Sequence, residues 1–473
     1  MTPGGRRLSR EREGRPAAPV RIAHLGAGNF FRAHQAWYTG HSPDAREWGI
    51  AAFAGRSGAG VRDLAIQHGL YTVLVRAADG DRPEVVSSVT SASADLDGWR
   101  GCFARPELAL VTVTVTEAGY RRGGDGGLDL TDPEVAADVG ALRAHGTGGR
   151  VVTAPGKLVL GLAIRRELWL PGVAVVPCDN VPDNGVMTAR VVGELAAAVD
   201  AGLADWIAGH VSFVATVVDR ITPEPTDTDR AELLTTSGVD DPALVVTEPH
   251  TGWVLCGRFP SGRPRWEDAG ARFVDDITAW ERRKLWLLNG SHSLMAYAGP
   301  PRGHQTVQEA AADPLVLDWV RQWWDDAARH LPLPAAEVAG YRAALLERYR
   351  NPRIRHMLRQ IAADGSQKLP IRILPTVRAD LSLDRIPIGA ARVLAAWVCH
   401  LRGAGNPVAD VAAQDFTPLA EGDLPGAVGR VLRRLGVDDQ RLNATVTTLA
   451  HELEQEVARC GPCPASPTRS IPI

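Results

Sequence analysis

The sequence predicts an α/β fold: a Rossmann-like doubly wound sheet domain followed by a mostly α-helical C-terminal domain. Three observations support this fold. From residue 20 to about residue 270, short runs rich in Val, Ile and Thr alternate with helical patterns, as in a parallel sheet covered by helices. Beyond that point long amphipathic segments replace the strand-like runs. The length of 473 residues also exceeds what one hydrophobic core normally serves.

The first domain contains five predicted strands, each a short apolar run that is mostly rich in β-branched residues. They are Val20–Leu25, Gly49–Ala54, Leu108–Thr116, Val173–Pro177 and Val211–Val218. Apolar residues at three- and four-residue spacing predict two helices between these strands. These helices are Leu158–Leu170 and Met187–Ala201.

The second domain contains long amphipathic segments that predict helices, separated by loops rich in Pro and Gly. The segments are Thr278–Ala298, Leu315–Ala328, Glu337–Tyr349, Ile388–Leu401 and Leu442–Ala458. We therefore expect a disordered tail at 1–19 and a dinucleotide-binding domain at 20–275. A helical domain for substrate binding and catalysis follows at 276–460, and a second tail at 461–473.

Charge and cysteine content limit the class of protein. The formal net charge of -3 offers no attraction to nucleic acid or to anionic membranes. No apolar run approaches the roughly 18 residues that a membrane span requires. The basic N-terminus lacks the apolar stretch of a secretory signal, and the six cysteines are scattered, so we expect a reducing cytoplasm.

One cysteine pair, Cys460 and Cys463, has the spacing of a redox dithiol. Such dithiols normally open a helix directly after a strand. Here the pair follows a helical stretch and lies in a Pro-rich tail. We interpret it as an incidental or weakly metal-binding feature.

A glycine turn follows the first predicted strand, where Gly26-Ala27-Gly28-Asn29-Phe30 leads into a helix start. Glycines in this position let the backbone approach a pyrophosphate, and the start of the helix offers N–H groups to it. The third glycine of the complete fingerprint is absent, because Phe31 stands there. An ordinary strand-to-helix turn is the alternative, but the position in the fold favours a dinucleotide site.

The end of the second predicted strand bears on the choice of dinucleotide. A carboxylate there binds the ribose of NAD, whereas an arginine accommodates the 2′-phosphate of NADP. The sequence has Arg56 and Ser57 at this point, and the nearest downstream acid is Asp63. NAD is the expected cofactor, and NADP stays possible.

Three polar residues share an otherwise apolar helix face. On an α-helical wheel, Lys284, His292 and Asn289 fall at about 0°, 80° and 140°. Burying an ammonium without purpose is costly and disfavours its charged form. Such a lysine can take a proton from a secondary alcohol while Asn and His hold the oxygen. The alternative is an exposed lysine beside a satisfied core His and Asn.

Seven segments, two of which overlap, resemble in chain order the mannitol dehydrogenase family, the polyol-specific long-chain dehydrogenases. They span most of the chain, from Gly26 to Pro370. They are Gly26–Gln35, Thr114–Tyr120, Cys178–Gly185, Val218–Pro223, Lys284–His292, Leu288–Ser293 and Asp364–Pro370. The motif Lys284-x4-Asn289-x2-His292 is similar to the catalytic signature of that family.

The resemblance implies a role for each matching residue. Lys284 is expected to be the general base or acid, with no metal. Asn289 and Asn180 are expected to polarise the reacting oxygen, and His292 to orient the substrate. Glu117 and Glu281 resemble acids that connect the lysine with solvent, and Lys368 resembles a residue that binds distal hydroxyls. Thr116 and Glu117 also belong to the expected cofactor-binding set.

The sequence departs from mannitol 2-dehydrogenases near the distal lysine. Those enzymes carry an arginine eight positions before it, where this chain has Gln360. The stretch resembles the fructuronate reductase branch instead, and Arg372 can then clamp a carboxylate through two hydrogen bonds. Arg359 offers an alternative, because it can replace the missing arginine.

The expected reaction interconverts a polyol or aldonate and its ketose or keto-uronate, with D-mannitol and D-mannonate as the leading substrates. Activity on mannitol 1-phosphate or arabinitol is the alternative on the same scaffold. A zinc alcohol dehydrogenase is a further alternative, but the sequence shows no cluster of zinc ligands. A catalytically idle dinucleotide sensor is the alternative of a different class. The resemblance favours a monomer.

Overall fold

The computed structural model of the protein describes residues 5–55 and 58–460. Arg56 and Cys463 therefore lie outside the described residues, as does the expected tail at 461–473. The chain divides into two compact units, Met1–Ile277 and Thr278–Ile473. This division lies close to the expected boundary at 275.

The first unit contains twelve strands within its described residues. Six of them form one sheet with the order β5-β2-β1-β6-β7-β8, and every neighbouring pair in it is parallel. The strands are β1 (Val20–Leu25), β2 (Gly49–Phe53), β3 (Tyr71–Ala77), β4 (Gly80–Val86), β5 (Val89–Ser93), β6 (Leu110–Val113), β7 (Ala174–Pro177), β8 (Ser212–Phe213), β9 (Ala215–Asp219), β10 (Val245–Thr247), β11 (Gly252–Cys256) and β12 (Arg272–Phe273).

This sheet has the Rossmann order, in which two halves wind outwards from the first strand. Successive residues of a strand point to opposite faces. In β1, Ala23 and Leu25 pack into one buried core, and Ile22 packs into another. Both faces of the sheet are therefore covered, which explains why its strands are almost continuously apolar.

Nine helices belong to the first unit within the described residues. Several begin at a side-chain cap that accepts main-chain N–H groups, as Thr153 does for Gly156. They are α1 (Asn29–Ala33), α2 (Gln35–His41), α3 (Ala59–Ile66), α4 (Leu96–Phe103), α5 (Pro133–His145), α6 (Ala154–Glu167), α7 (Asn184–Val199), α8 (Ala201–His210) and α9 (Asp227–Ser237).

Two smaller sheets were not predicted. They have the orders β10-β3-β4 and β12-β11-β9. The expected strand Val211–Val218 is divided between two sheets, because β8 continues the parallel sheet whereas β9 pairs antiparallel with β11. The chain changes sheets at Val214, whose main-chain N–H still donates to the carbonyl oxygen of Val175 at 2.9 Å.

Residues 5–19 pack on the first unit, so the expected disordered tail is wrong for this stretch. Leu8 is buried in a small cluster with Leu70 and Val239. Arg10 donates hydrogen bonds to four carbonyl oxygens, and the one at Val89 lies at the start of β5. The basic composition concealed this packing, because a few anchoring contacts suffice to order a short segment.

The second unit is helical in its described residues, as the sequence predicted. Its core contains the tryptophans Trp319, Trp323, Trp324 and Trp397. Besides shorter 3₁₀ and π segments, its helices are α10 (Thr278–Arg283), α11 (Ser291–Ala298), α12 (Val307–Ala312), α13 (Pro314–Ala328), α14 (Ala335–Tyr349), α15 (Leu358–Ile361), α16 (Gly365–Arg372), α17 (Leu374–Ser382), α18 (Ile388–Leu401), α19 (Ala413–Phe416), α20 (Leu424–Arg434) and α21 (Gln440–Cys460).

A search of the described residues for membrane spans found no helix with the length and apolar character that a crossing requires.

The contacts of Arg10 predict a stability effect. Replacing Arg10 with Ala removes the donor shared by four carbonyl oxygens. We expect the free energy of unfolding to fall by about 1–3 kcal/mol, measured by urea denaturation. Arg12→Ala is the matched control, because that side chain is exposed. Equal stability of the two variants would contradict the anchoring role of Arg10.

Candidate active site

A cavity of about 540 Å³ in the first unit is lined by residues that follow three neighbouring strands. Gly26 follows β1, Gly55 follows β2 and Thr114 follows β6. The order of strands reverses between β1 and β6. Open α/β sheets bind ligands at the carboxyl ends of their strands where the order reverses. The cavity therefore lies where the fold provides a dinucleotide site.

The glycines of the turn keep this cavity open. Gly26 has a φ of +102°, and a Cβ atom there would lie 1.9 Å from the carbonyl oxygen of Thr114. A Cβ on Gly28 would meet nothing closer than the carbonyl oxygen of Gly26 at 3.8 Å. It would occupy space that a ligand can use. The turn that contains Gly26 and Gly28 therefore fits a group that approaches the main chain closely, as a pyrophosphate does.

Asn29 is held beside this turn by two side chains. Its Nδ2 donates to Glu224 Oε2 at 2.6 Å, and its Oδ1 accepts from Arg32. Arg32 is itself buried and donates to the carbonyl oxygen of Ala243 at 2.5 Å. The helix that begins at Asn29 ends after five residues, at a break in the chain's helical path at His34. The expected helix start is present, but the helix is short.

A buried carboxylate joins the loops that follow β6 and β7. Asp179 accepts hydrogen bonds from the main-chain N–H of Val115, at 2.6 Å, and from the hydroxyl of Tyr120. Burial raises the pKa of Asp179 to about 7. Asn180 follows it and is exposed at the carboxyl end of β7. Asp179 therefore fixes the main chain from which Asn180 projects.

In the second unit the residues from Lys284 to Gly290 form a π-helix between α10 and α11. A π-helix bonds residue i to i+5; it is rare and frequently occurs at functional sites. Lys284 and Asn289 are five residues apart, so one π-turn relates them. The angles predicted from an α-helical wheel are therefore wrong, because each π-turn includes one residue more than an α-turn.

Two tryptophans from α13 stabilise the π-helix. Trp323 Nε1 donates to the carbonyl oxygen of Trp286 and Trp324 Nε1 to that of Leu287, both at 2.8 Å. A Cβ on Gly290 would lie 2.6 Å from Trp323 Nε1, so only glycine allows this approach. The indoles supply donors to a buried main chain that departs from α-helical bonding.

Asn289 and His292 are 8% and 7% exposed, and Lys284 is half-buried. The ring of His292 lies 5.2 Å from that of Tyr349 and 5.1 Å from that of His356. Burial lowers the pKa of His356, and so does the charge of Arg348. Both effects disfavour a positive charge on the ring that packs against His292.

The two cations of α16 already bind main-chain oxygens. Arg372 Nη1 donates to the carbonyl oxygen of Asn289 at 3.4 Å and to Ser293 Oγ at 3.1 Å. Lys368 Nζ donates to the carbonyl oxygens of Ile361 and Ala363 at 3.3 and 2.5 Å. One side of Arg372 is thus engaged, which differs from the free carboxylate clamp that we expected.

The expected cofactor residues of the first unit fall into three groups. Gly26, Ala27, Gly28, Asn29 and Thr116 line the cavity. Phe30 stacks on His34 with ring centroids 4.9 Å apart, and Glu117 pairs with Arg122 with its side chain 69% exposed. Neither is among the described residues that line the cavity. Arg56 lies outside the described residues.

The remaining expected residues belong to the second unit. Gln360 is exposed at the end of the short helix α15, one residue before a carbonyl that Lys368 binds. Among the described residues, no group of three His, Cys, Asp or Glu is arranged to hold a metal ion. The zinc alternative therefore finds no ligand set in that part of the chain.

Two family models together match most of the chain. The mannitol dehydrogenase Rossmann domain matches residues 20–268, and the mannitol dehydrogenase C-terminal domain matches residues 276–427. The chain belongs to the mannitol dehydrogenase family. Like its relatives, this family member is an oxidoreductase that acts on CH–OH groups, and its first domain is a Rossmann domain for a dinucleotide.

Individual relatives of this mannitol dehydrogenase family member agree with the assignment. D-mannonate oxidoreductase of Escherichia coli (strain K12) is 37% identical over 395 residues, 81% of this chain and 80% of that protein. Mannitol 2-dehydrogenase of Cereibacter sphaeroides is 33% identical over 414 residues, 84% of each chain. A solved structure is also similar: the Pseudomonas fluorescens mannitol 2-dehydrogenase ternary complex with NAD and D-mannitol. It has a TM-score of 0.75 and 32% identity, with 94% of each chain covered.

Sequence reasoning missed several residues that support the site of this family member. Asp179 adjoins Asn180 in a segment that carried the resemblance, so a buried acid was visible there but was given no role. The adjacent pair Trp323-Trp324 was also visible, although nothing in the sequence linked it to Lys284. We find no sequence signal that would have brought His356 to His292.

The support of the π-helix predicts a loss of both stability and activity in this family member. Trp323→Phe leaves the buried carbonyl oxygen of Trp286 without its indole donor. We expect unfolding to be easier by about 1–3 kcal/mol, together with a lower turnover number. Trp206→Phe in the first unit is the control, since that half-buried ring stacks on His210 and packs at the edge of the core, and Phe keeps an aromatic ring there. Unchanged stability and turnover in Trp323→Phe would refute the proposed support.

Asp179 predicts a pH dependence of stability. Its folded pKa of about 7 lies above the ordinary aspartate value of 3.8, so between these values the folded protein holds the proton more tightly. The contribution of this group to the free energy of unfolding is therefore fully present below about pH 4. It is lost as the pH rises through about 7, by at most about 4 kcal/mol. Asp179→Asn should flatten this slope in urea unfolding measured from about pH 4.5 to 8. Parallel slopes for wild type and Asp179→Asn would contradict the raised pKa of Asp179.

Proposed function

We propose that the chain interconverts a polyol or aldonate and the corresponding ketose or keto-uronate, with Lys284 as the general base and acid. The observation that carries this proposal is the π-helix that contains Lys284 and Asn289 and leads into His292. Rare helical geometry, buried amide and imidazole groups and a half-buried lysine occur together there. Functional sites are where such geometry concentrates.

The proton steps follow from the side chains. In the oxidative direction the neutral amine of Lys284 accepts the hydroxyl proton of a secondary alcohol, and in the reverse direction its ammonium protonates the ketone oxygen. The Asn289 amide donates to the oxygen as negative charge develops on it. His292 orients the neighbouring hydroxyl. On the family resemblance we also propose Asn180 as a second amide donor, and Glu117 with Glu281 as a route for the proton.

The hydride acceptor is a nicotinamide dinucleotide, for which we propose the cavity of the first unit. When bound, the dinucleotide would supply the acceptor for the hydride of the carbinol carbon. Gly26, Gly28 and Thr116 would hold the dinucleotide, since the glycine turn leaves room for a pyrophosphate close to the main chain. The solved Pseudomonas fluorescens relative holds NAD. Arg56, at the end of the second predicted strand, remains a candidate contact on its sequence position alone.

Among substrates, we favour the sugar-acid pair D-mannonate and D-fructuronate. Lys368 and Arg372 place two cations on one helix, α16, and a carboxylate is the substrate group that cations bind best. The identity to a D-mannonate oxidoreductase, 37%, exceeds the 33% to a mannitol 2-dehydrogenase. Gln360 replaces the arginine expected for mannitol, which supports the same preference.

The proposed reaction is tested by an oxidation screen with NADH and NADPH. Fructose, fructuronate, tagaturonate, xylulose and fructose 6-phosphate are the keto substrates, and we expect the highest kcat/KM with fructuronate. Highest activity with fructose would overturn the sugar-acid preference but keep the reaction class. Binding of NADH without turnover of any of these substrates would favour the idle sensor. Loss of activity on chelation would revive the zinc alternative.

Lys284→Ala predicts the loss of the chemical step. Removing a positioned base lowers turnover by on the order of 10²–10⁴-fold, while NADH binding, followed by fluorescence titration, should change less than about two-fold. Lys284→Arg should also be inactive, because a guanidinium cannot be deprotonated. Arg282→Ala, an exposed neighbour on the same turn, is the control. Near-normal turnover in Lys284→Ala would disprove the assignment of the base.

A further inference from the structure

The chain uses lysine sparingly. Only three of its 52 lysine and arginine residues are lysines, at positions 157, 284 and 368. Arginine is thus the ordinary cation of this protein. A lysine differs by its compact ammonium, which acts as a point charge and can release its proton. Lys284 and Lys368 have roles in the proposed function, whereas Lys157 has none yet.

Lys157 lies in the first turn of α6 and reaches across to the end of β2. Its Nζ donates to the carbonyl oxygens of Ala54 and Gly55 at 3.2 and 3.0 Å. An ammonium carries three N–H donors, so one remains for a ligand. Burial lowers the pKa of Lys157, and the negative charge of Asp138 offsets this only in part. The position costs free energy that a bound anion would restore.

Lys157 also lines two cavities that adjoin. It contributes to the 540 Å³ cavity and to a second cavity of about 670 Å³, and the two share Ala54, Gly55 and Val152. Because the second cavity continues past the end of β2, it lies on the side where a Rossmann sheet receives the adenosine ribose of a dinucleotide.

The acids of the second cavity are already engaged. Asp95 accepts from two main-chain N–H groups at the start of α4, at 3.0 and 3.1 Å. Asp97 pairs with Arg100 at 2.5 Å, and Glu134 pairs with Arg121. The cations that remain at this cavity within the described part of the chain are Lys157 and the exposed Arg150. The described lining thus holds three acids and three cations, and Lys157 is the cation whose ammonium is fixed at the end of β2.

We propose that Lys157 recognises the 2′-position of the adenosine ribose and gives the protein a preference for NADP(H) over NAD(H). This inference rests on the proposed dinucleotide function. NAD-binding sheets place a carboxylate at the end of the second strand, and Ala54 and Gly55 offer none here. The 2′-phosphate carries up to two negative charges, as a phosphate monoester does. The third N–H of Lys157 donates to it, in the manner of a lysine that binds phosphate as a point charge.

A structural role is the competing explanation, in which Lys157 only binds the two carbonyl oxygens at the end of β2. The two roles separate in the ratio of kcat/KM for NADPH to that for NADH. A structural residue affects both dinucleotides alike, whereas a residue that contacts the 2′-phosphate affects only NADPH. Lys157→Met keeps the unbranched side chain and removes the charge. Lys157→Arg keeps the charge on a larger group.

The experiment compares wild type, Lys157→Met, Lys157→Arg and the control Arg150→Met. Loss of a charged hydrogen bond predicts a fall in the NADPH to NADH ratio of about 10- to 100-fold in Lys157→Met. Lys157→Arg should retain most of the ratio, and Arg150→Met should change it less than about three-fold. A ratio that is unchanged, or equal losses for the two dinucleotides, would overturn the proposal.

Binding without turnover provides a second readout. Calorimetry with adenosine 2′,5′-bisphosphate and adenosine 5′-monophosphate should show the bisphosphate binding more tightly to wild type, by about ten-fold or more. That advantage should disappear in Lys157→Met. Equal affinities in wild type would refute the role of Lys157 even if the variants fold poorly. If wild type binds neither nucleotide, NADH nor NADPH, the proposed function itself fails.

Discussion

The hydrogen bonds from Trp323 and Trp324 to the carbonyl oxygens of Trp286 and Leu287 determine the geometry of the second unit around Lys284. A π-helix is less favourable than an α-helix and persists only where its surroundings supply the missing bonds. Here two indoles, together with Ser291 Oγ on the carbonyl oxygens of Leu287 and Leu288, provide these bonds from a buried core. The proposed catalytic residues therefore project from a main chain that is fixed by packing, which would keep the reorganisation on substrate binding small.

The first unit achieves the same rigidity by a different route. Its proposed ligand groups lie on loops, and loops are mobile unless they are tied. Asp179 binds the main chain after β6, Asn184 bonds to the main chain of Thr216 in β9, and Lys157 binds the main chain after β2. Each of these hydrogen bonds joins a side chain that is at least partly buried to the main chain of a strand or of the loop after it. Substitutions in the cavity wall can thus alter specificity while the strands beneath keep their positions.

The sequence predicted the features that depend on local pattern. The strand β1 and the helix α18 have the expected bounds, because their apolar periodicity leaves one choice of structure. The split of the strand near Val214 and the π-helix at Lys284 were not predictable, since both depend on partners far along the chain. The motif singled out Lys284, Asn289 and His292, whose catalytic roles stay predictions. Their supports were not predicted, because a tryptophan that caps a carbonyl looks in sequence like any core tryptophan.

Arginine and lysine divide the cationic roles in the second unit. Arg372 is held against the main chain of Asn289, and although burial lowers its pKa to about 10, it stays charged at neutral pH. It therefore suits a constant role, in which one side of its guanidinium holds the main chain of Asn289 and the rest stays available for the carboxylate of the proposed substrate. Lys284 has the opposite role in the proposed reaction, because a base must lose and regain a proton in every cycle. A guanidinium cannot do this, so a chain that otherwise prefers arginine needs a lysine where the proton moves.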